Sequence, residues 1–257
     1  PVMAALVIAE EAMGAVQCEL PDAFQTALQK LEEADTLHHD AESLAAARIA
    51  HYRAVVYDRL GEKEHSFEYF TRAYELLQSI PEYAAHVLED LGTYYASLGK
   101  PHLARSCYLR SITYKTEIGD LCGQAVTYGH LGRLLMVSEQ SGEAVEMLCK
   151  AIAMGMQTDN MREVTRNYNS LAHAHMAAQD YPQAAQAIET CIRLASQHDY
   201  TELLALAYAR THYRGSGGLT RTGHPTLSPV SWCRRAGDGT PAGRRSPARP
   251  GQTARSH

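Results

Sequence analysis

Leu91-Gly92-Thr93-Tyr94-Tyr95-Ala96-Ser97-Leu98-Gly99-Lys100-Pro101, followed at short range by Ala104, Tyr108 and Ser111, is the stretch that decides the fold. Leu91, Gly92, Tyr95 and Leu98 stand at i, i+1, i+4 and i+7, one face of an α-helix. Ala104, Tyr108 and Ser111 stand at i, i+4 and i+7 of a second helix. Gly99-Lys100-Pro101 between them carries the residues of a turn. The small residues sit where the two helices cross and allow a close approach. The large residue four positions on fills the groove between ridges.

The same hairpin recurs along the chain. Leu91, Leu131 and Leu171 are 40 residues apart, and so are Gly92, Gly132 and Ala172. The second helix repeats as Ala104, Ala144 and Ala184, then as Tyr108, Leu148 and Ile188. A step of 38 towards the N-terminus gives Ala54, Tyr57, Leu60, Gly61, Ser66 and Phe70, and a further 39 gives Ala15, Ala27, Leu31 and Ala34. Five units therefore cover roughly residues 5–200, and Thr201–His212 begins a sixth. One such pair cannot bury its apolar face alone, whereas stacked neighbours share a continuous core. The expected fold is all-α: an α-solenoid of antiparallel helix pairs over residues 5–213, about five pairs with one extra helix.

Charge divides the chain at the same place. Residues 1–213 carry 16 Lys+Arg against 28 Asp+Glu, a net of −12, while residues 214–257 carry 8 Arg and a single acid, Asp238, a net of +7. From Arg214 on, Arg, Gly, Pro, Ser and Thr dominate, and such a composition buries too little surface to offset its ordering entropy. Residues 214–257 are expected to be a disordered tail, and their composition also suits GC-rich DNA read in a non-native frame. The tail has no Lys and one aromatic, Trp232, so no nucleic-acid partner is expected. No apolar run reaches the 18 residues that would suggest a membrane span. No membrane partner and a cytoplasmic location follow as expectations.

The pattern Leu91-Gly92-x-x-Tyr95, then Gly99, Ala104, Tyr108 and Ser111, resembles the tetratricopeptide (TPR) repeat signature. The resemblance covers most of residues 5–200. The family period is about 34, and the longer spacing here is similar to repeats of bacterial signalling and regulatory proteins. The extra residues fall around Glu117–Asp120, Gln157–Asn160 and Gln197–Tyr200, which predicts lengthened second helices. The resemblance implies a right-handed superhelix whose first helices line a concave groove. The implied groove residues are His86, Glu89, Thr93 and Ala96; Val126, Gly129, Arg133 and Met136; Arg166, Asn169, His173 and Met176; and Arg48, His51, Val55 and Asp58. Arg133, Arg166, Asn169 and His173 would present donors to a carboxylate or phosphate, so an acidic peptide is the expected ligand. Met136 and Met176 would add adaptable apolar contact. The family's carboxylate clamp is not reproduced, since only Arg166 and Asn169 stand near its positions.

Signals for chemistry are sparse. His38-His39-Asp40 has no Cys or second acidic cluster beside it, and His173 and His175 at i, i+2 point to different faces of a helix, so no metal is expected. Cys107, Cys149 and Cys191 fall near small or apolar positions of second helices and read as buried packing thiols, while Cys122 and Cys233 read as loop and tail thiols. Phosphate loops, nucleophile elbows and kinase motifs are lacking. The function expected is a non-enzymatic scaffold without cofactors, binding a peptide or partner protein, as the docking or sensory part of a larger bacterial regulator. The alternative is self-assembly into a homo-oligomer through an uncapped C-terminal helix bearing Leu203, Leu204, Leu206 and Ala207.

Overall fold

The computed structural model describes residues 2–16, 21–37 and 43–213, and every element among them is helical. In chain order these are α1 (Val2–Val16), α2 (Pro21–Thr36), α3 (Leu44–Leu60), α4 (Lys63–Leu77), α5 (Pro81–Ser97) and α6 (Pro101–Glu117). They continue with α7 (Leu121–Val137), α8 (Ser141–Gln157), α9 (Met161–Ala177), α10 (Tyr181–Gln197) and α11 (Thr201–Tyr213). The tail from Arg214, with Cys233, and the His38-His39-Asp40 cluster lie outside the described residues.

The register is stricter than the sequence repeat suggests. Backbone φ turns positive at Gly99, Gly119, Glu139, Asp159, Gln179 and Asp199, one residue in every 20. Each of these residues follows a helix and reverses its direction. The Lys100 amide then bonds back to the Tyr95 carbonyl at 3.0 Å, Gln140 to Leu135 at 3.0 Å, and Asp180 to His175 at 2.8 Å. Those are the long-range bonds of the Schellman motif, which satisfies carbonyls a helix end would leave bare. The next helix starts at once, capped by the side chain of Asp120, Asn160 or Asp180 on the amide three residues on. Helices α5 to α10 are consequently all 17 residues long. The predicted lengthening of second helices alone is therefore corrected: both turns of each 40-residue unit have the same geometry, and the added length is shared between the two helices.

Packing follows the small-against-large pairing read from the sequence. A Cβ on Gly92 would fall 2.7 Å from the Tyr108 ring, and one on Gly132 would fall 2.6 Å from Leu148. The larger partner thus occupies the space that glycine leaves. A central core runs without interruption from Ala104 through Leu131, Leu135, Leu148, Val164 and Ile188 to Leu194. A second cluster joins Ala54, Phe70, Leu77, Val87 and Leu88, and a third, mostly alanine, holds Ala5, Ala9, Ala12, Ala27, Leu31 and Ala34. Cys107 and Cys191 are buried as expected. Cys149 is not: it lies exposed on the outer side of α8, where the buried stripe passes through Met147 and Leu148 instead. Cys122 is exposed too, but within the first turn of α7 rather than in a loop.

Candidate functional site

Consecutive helices pair throughout, and the odd-numbered helices also touch one another in series, α1 to α3, α5, α7, α9 and α11. Among the described residues no two even-numbered helices come close along their backbones; they meet through long side chains, as Arg110 of α6 does with Tyr74 of α4 and Arg105 of α6 with Glu143 of α8. The odd layer is therefore the shorter arc, and its free face is the inner wall of the stack. Polar side chains concentrate there, at register positions that recur along α3, α5, α7 and α9.

Between α5 and α7 they form a buried network. Lys115 of α6 is 1% exposed and reaches between the two helices. Its ammonium pairs with the Glu89 carboxylate and donates to Thr127 Oγ1 at 2.9 Å and to the Gly123 carbonyl at 3.3 Å. Burial holds the Glu89 carboxyl above its ordinary value, and the Lys115 charge offsets only part of that. His130 lies 3.7 Å from the free Glu89 oxygen and stacks on Tyr108 with ring centroids 5.7 Å apart. Burial, reinforced by Arg133, pushes the His130 pKa down to about 3, so its ring is neutral at physiological pH. Burial also pushes the Tyr108 phenol up to about 12, and its oxygen is 3.1 Å from Thr93 Oγ1. Towards α3, His51 Nε2 meets Asp90 Oδ2 at 2.8 Å. Burial opposes ionisation of Asp90, but the His51 hydrogen bond and the neighbouring imidazoles outweigh it and lower its pKa.

A second network links α7 to α9. Arg133 donates to Asn167 Oδ1 at 3.2 Å and stands 3.6 Å from Glu163, while Arg166 donates to the other Glu163 oxygen at 2.8 Å. The glycine opposite makes room for this: a Cβ on Gly129 would sit 2.6 Å from Asn167 Oδ1 and 3.0 Å from Glu163 Oε1.

The structure brings some expected groove residues together and separates others. Arg133 and Arg166 converge, but on Glu163, so they do not offer two free charges to a ligand. Asn169 is buried with its Oδ1 unpartnered, and neither it nor the exposed His173 bonds to an arginine. Glu89 is closed over by Lys115 rather than open to the groove, whereas His86 and Thr93 are exposed on it. Met136 and Met176 are half-buried against the central core. Leu203 and Ala207, expected on a free end face, are buried, which leaves Leu206 exposed and Leu204 half-buried.

Lys115, Asp90, His130, Glu163 and Asn167 escaped the sequence reading. For Lys115 a signal existed. It lies on the apolar stripe of α6 with Ala104, Tyr108 and Ile112, where later repeats carry Gly155 and Ala195. A long cation at a small buried position requires a buried acid nearby.

A tetratricopeptide-repeat family model matches residues 165–198, which run from α9 through α10. Among curated proteins, none matches the sequence. Solved structures do match in fold. A Rap protein complexed with Competence and Sporulation Factor aligns with TM-score 0.70 and 16% identity over 82% of this chain and 59% of its own. The tetratricopeptide-repeat-sensor signal transduction ATPase of Pyrococcus horikoshii aligns with TM-score 0.70 and 18% identity over 79% of this chain and 31% of its own. The nearly identical repeats of a Podosopora anserina kinesin light chain align with TM-score 0.60 and 16% identity over 77% of this chain and 98% of theirs.

Proposed function

We propose that this all-α tetratricopeptide-repeat solenoid is a non-enzymatic interaction module that holds a peptide or a segment of a partner protein along the wall formed by α3, α5, α7 and α9. One observation carries the reading. The odd helices form a continuous inner surface whose polar groups are fixed in advance by bonds between and within its helices, which lowers the entropy a ligand must offset. The fold neighbours support it: a protein of this architecture is known in complex with a factor, and another contains the repeat as a sensor. A docking or sensory role within a regulator fits the same wall. No described helix is long and apolar enough to cross a membrane.

The ligand chemistry follows from what Glu163 leaves over. Two arginines against one carboxylate keep a single positive charge, and exposed His86 and His173 add donors on the same wall. An extended peptide with spaced acidic residues suits that surface better than a compact dianion. Self-association through α11 has less support, because Leu203 and Ala207 are already spent inside the chain. For the test, the double variant Arg166→Glu with His173→Glu is compared with Leu109→Asp on the outer layer. The inner pair should weaken capture of an acidic partner peptide at least tenfold with unchanged helical circular dichroism, and the outer change should not. Equal binding by all three proteins rejects this wall as the site.

A further inference from the structure

A second candidate surface lies away from the inner wall, where the second hairpin (α3–α4) meets the third (α5–α6). Helix α4 has 15 residues instead of 17, and no residue with positive φ marks its exit into Pro81. The one-in-20 register thus slips here, and α4 and α5 meet over fewer residues than any other consecutive helices. At this seam lies an open cavity of about 420 Å³, within the size range of ligand sites. Its walls are Phe67 of α4, Tyr94, Tyr95 and Leu98 of α5 and its end, and Leu103 of α6. Ring centroids are 6.2 Å apart for Phe67–Tyr94, 6.3 Å for Phe67–Tyr95 and 5.6 Å for Tyr94–Tyr95. Phe67 and Leu103 are 43% and 47% exposed and give this wall its apolar face.

The next seam carries an ion pair at the equivalent positions. Arg105 holds the register of Phe67, 38 residues on, and Glu143 that of Leu103, 40 residues on. There the guanidinium grips the carboxylate in a two-pronged pair at 3.1 and 2.5 Å. The Phe67/Leu103 seam has rings and a leucine in place of that pair. Its rim is charged. Lys63 is taken by Asp58 at 2.6 Å and by Ser97 at 3.2 Å. Lys100 makes no hydrogen bond or ion pair through its side chain among the described residues, and α6 begins beside it without an acid in its first turn. Glu64 stands on the α4 side of the opening.

We propose that this seam is a second binding site, for a peptide segment that presents one large apolar side chain beside a carboxylate. The side chain lies across the exposed faces of Phe67 and Leu103 beside Tyr95, the carboxylate meets Lys100, and Glu64 accepts an N–H of the ligand backbone. A cationic ligand is disfavoured, because the Lys63 ammonium already lies over the Tyr94 ring, 5.6 Å from its centroid.

The test uses three small probes on the full chain, followed by NMR chemical-shift titration at Phe67 and Leu103: N-acetyl-phenylalanine, its neutral amide, and phenethylamine. At low salt the anion should bind best, by roughly fivefold over the amide, the scale of one exposed ion pair, and the amine worst. Lys100→Gln, the residue that position 140 carries in the next repeat, should bring anion and amide to the same affinity. Phe67→Arg with Leu103→Glu replaces the apolar wall with that ion pair and should abolish all three titrations while helix content is kept. Equal affinity for the three probes, a preference for the amine, or no shift at the seam overturns the proposal. The probe series on the unaltered chain decides even if the double variant does not fold. The inner wall has no part in this experiment, so the two readings stand or fall separately.

Discussion

At the scale of single residues, Lys115 is the most consequential side chain in the molecule. It takes a charge into a layer that is apolar in the following repeats and is satisfied there by Glu89, Thr127 and a backbone carbonyl. Removing one partner of a buried pair leaves the other uncompensated. Lys115→Met should therefore cost about 3 kcal/mol or more, read as a drop in the urea midpoint at unchanged m-value. Adding Glu89→Leu to it should recover most of the loss, because two apolar groups need no partners; a double variant as unstable as the single one would refute this account. His130 predicts a pH dependence. Its folded pKa of about 3 lies far below the unfolded value of 6.5, so the unfolded chain binds the proton more readily. Stability is then full above about pH 6.5 and is lost as pH falls towards 3, with a limiting slope of about 1.4 kcal/mol per pH unit. Glu89 acts in the opposite sense, since its raised pKa makes ionisation costly as pH rises above its unfolded value of 4.5. His130→Gln should flatten the fall in urea midpoint between pH 6.5 and 5, and an unchanged fall would assign the acid sensitivity elsewhere. The family resemblance places Arg133 and Arg166 on the expected groove face. It does not give Glu163 as the partner of Arg133, because a contact between residues 30 apart depends on how α7 and α9 are set against each other.

At the scale of the helix and its turn, the sequence shows a 40-residue repeat while the backbone obeys a 20-residue step. The reason lies in the reversing residue. It is Gly at 99 and 119, where glycine carries positive φ without cost, but Glu139, Asp159, Gln179 and Asp199 accept the same conformation with side chains. No single residue type marks those four turns, so the spacing locates the extra residues at 157–160 and 197–200 without showing that the same turn recurs half a unit away. The strained positions give a direct prediction. Glu139→Gly and Gln179→Gly should each stabilise the chain by about 0.5–1 kcal/mol, whereas Gly99→Ala should destabilise it by a similar amount. Asp120→Ala removes a cap whose oxygen accepts from the Gly123 amide at 2.8 Å and should cost about 1 kcal/mol. Thermal midpoints of the four single variants test the set, and a lowered midpoint for both glycine substitutions would show that these turns are not strained.

At the scale of the whole solenoid, stability accumulates from each hairpin and from each interface with its neighbour. The two ends of the described chain are not equivalent on that count. From α6 to α10 the shared core contains Tyr108, Leu131, Leu135, Leu148, Ile152, Val164 and Ile188 in one continuous cluster. The α1–α3 cluster is built chiefly from Ala5, Ala9, Ala12, Ala27 and Ala34, and an alanine removes far less apolar area from water than a leucine or isoleucine. Between them lies the slipped seam, where α4 and α5 make the least extensive of the consecutive contacts. Helices α1 to α4 should therefore open as a unit before the rest, with the break falling at that seam. In native-state hydrogen exchange, amides of α7 to α9 should exchange only with global unfolding, and those of α1 to α4 at a lower free energy that is less sensitive to denaturant. Phe70→Ala, which empties a fully buried position on the N-terminal side of the seam, should lower protection in α3 and α4 by about 3–5 kcal/mol or down to the floor of local fraying. Protection in α8 and α9 should stay largely unchanged. Uniform loss across all the helices would instead mean that the seam transmits cooperativity as well as the tight interfaces do, and that the register slip carries no mechanical consequence.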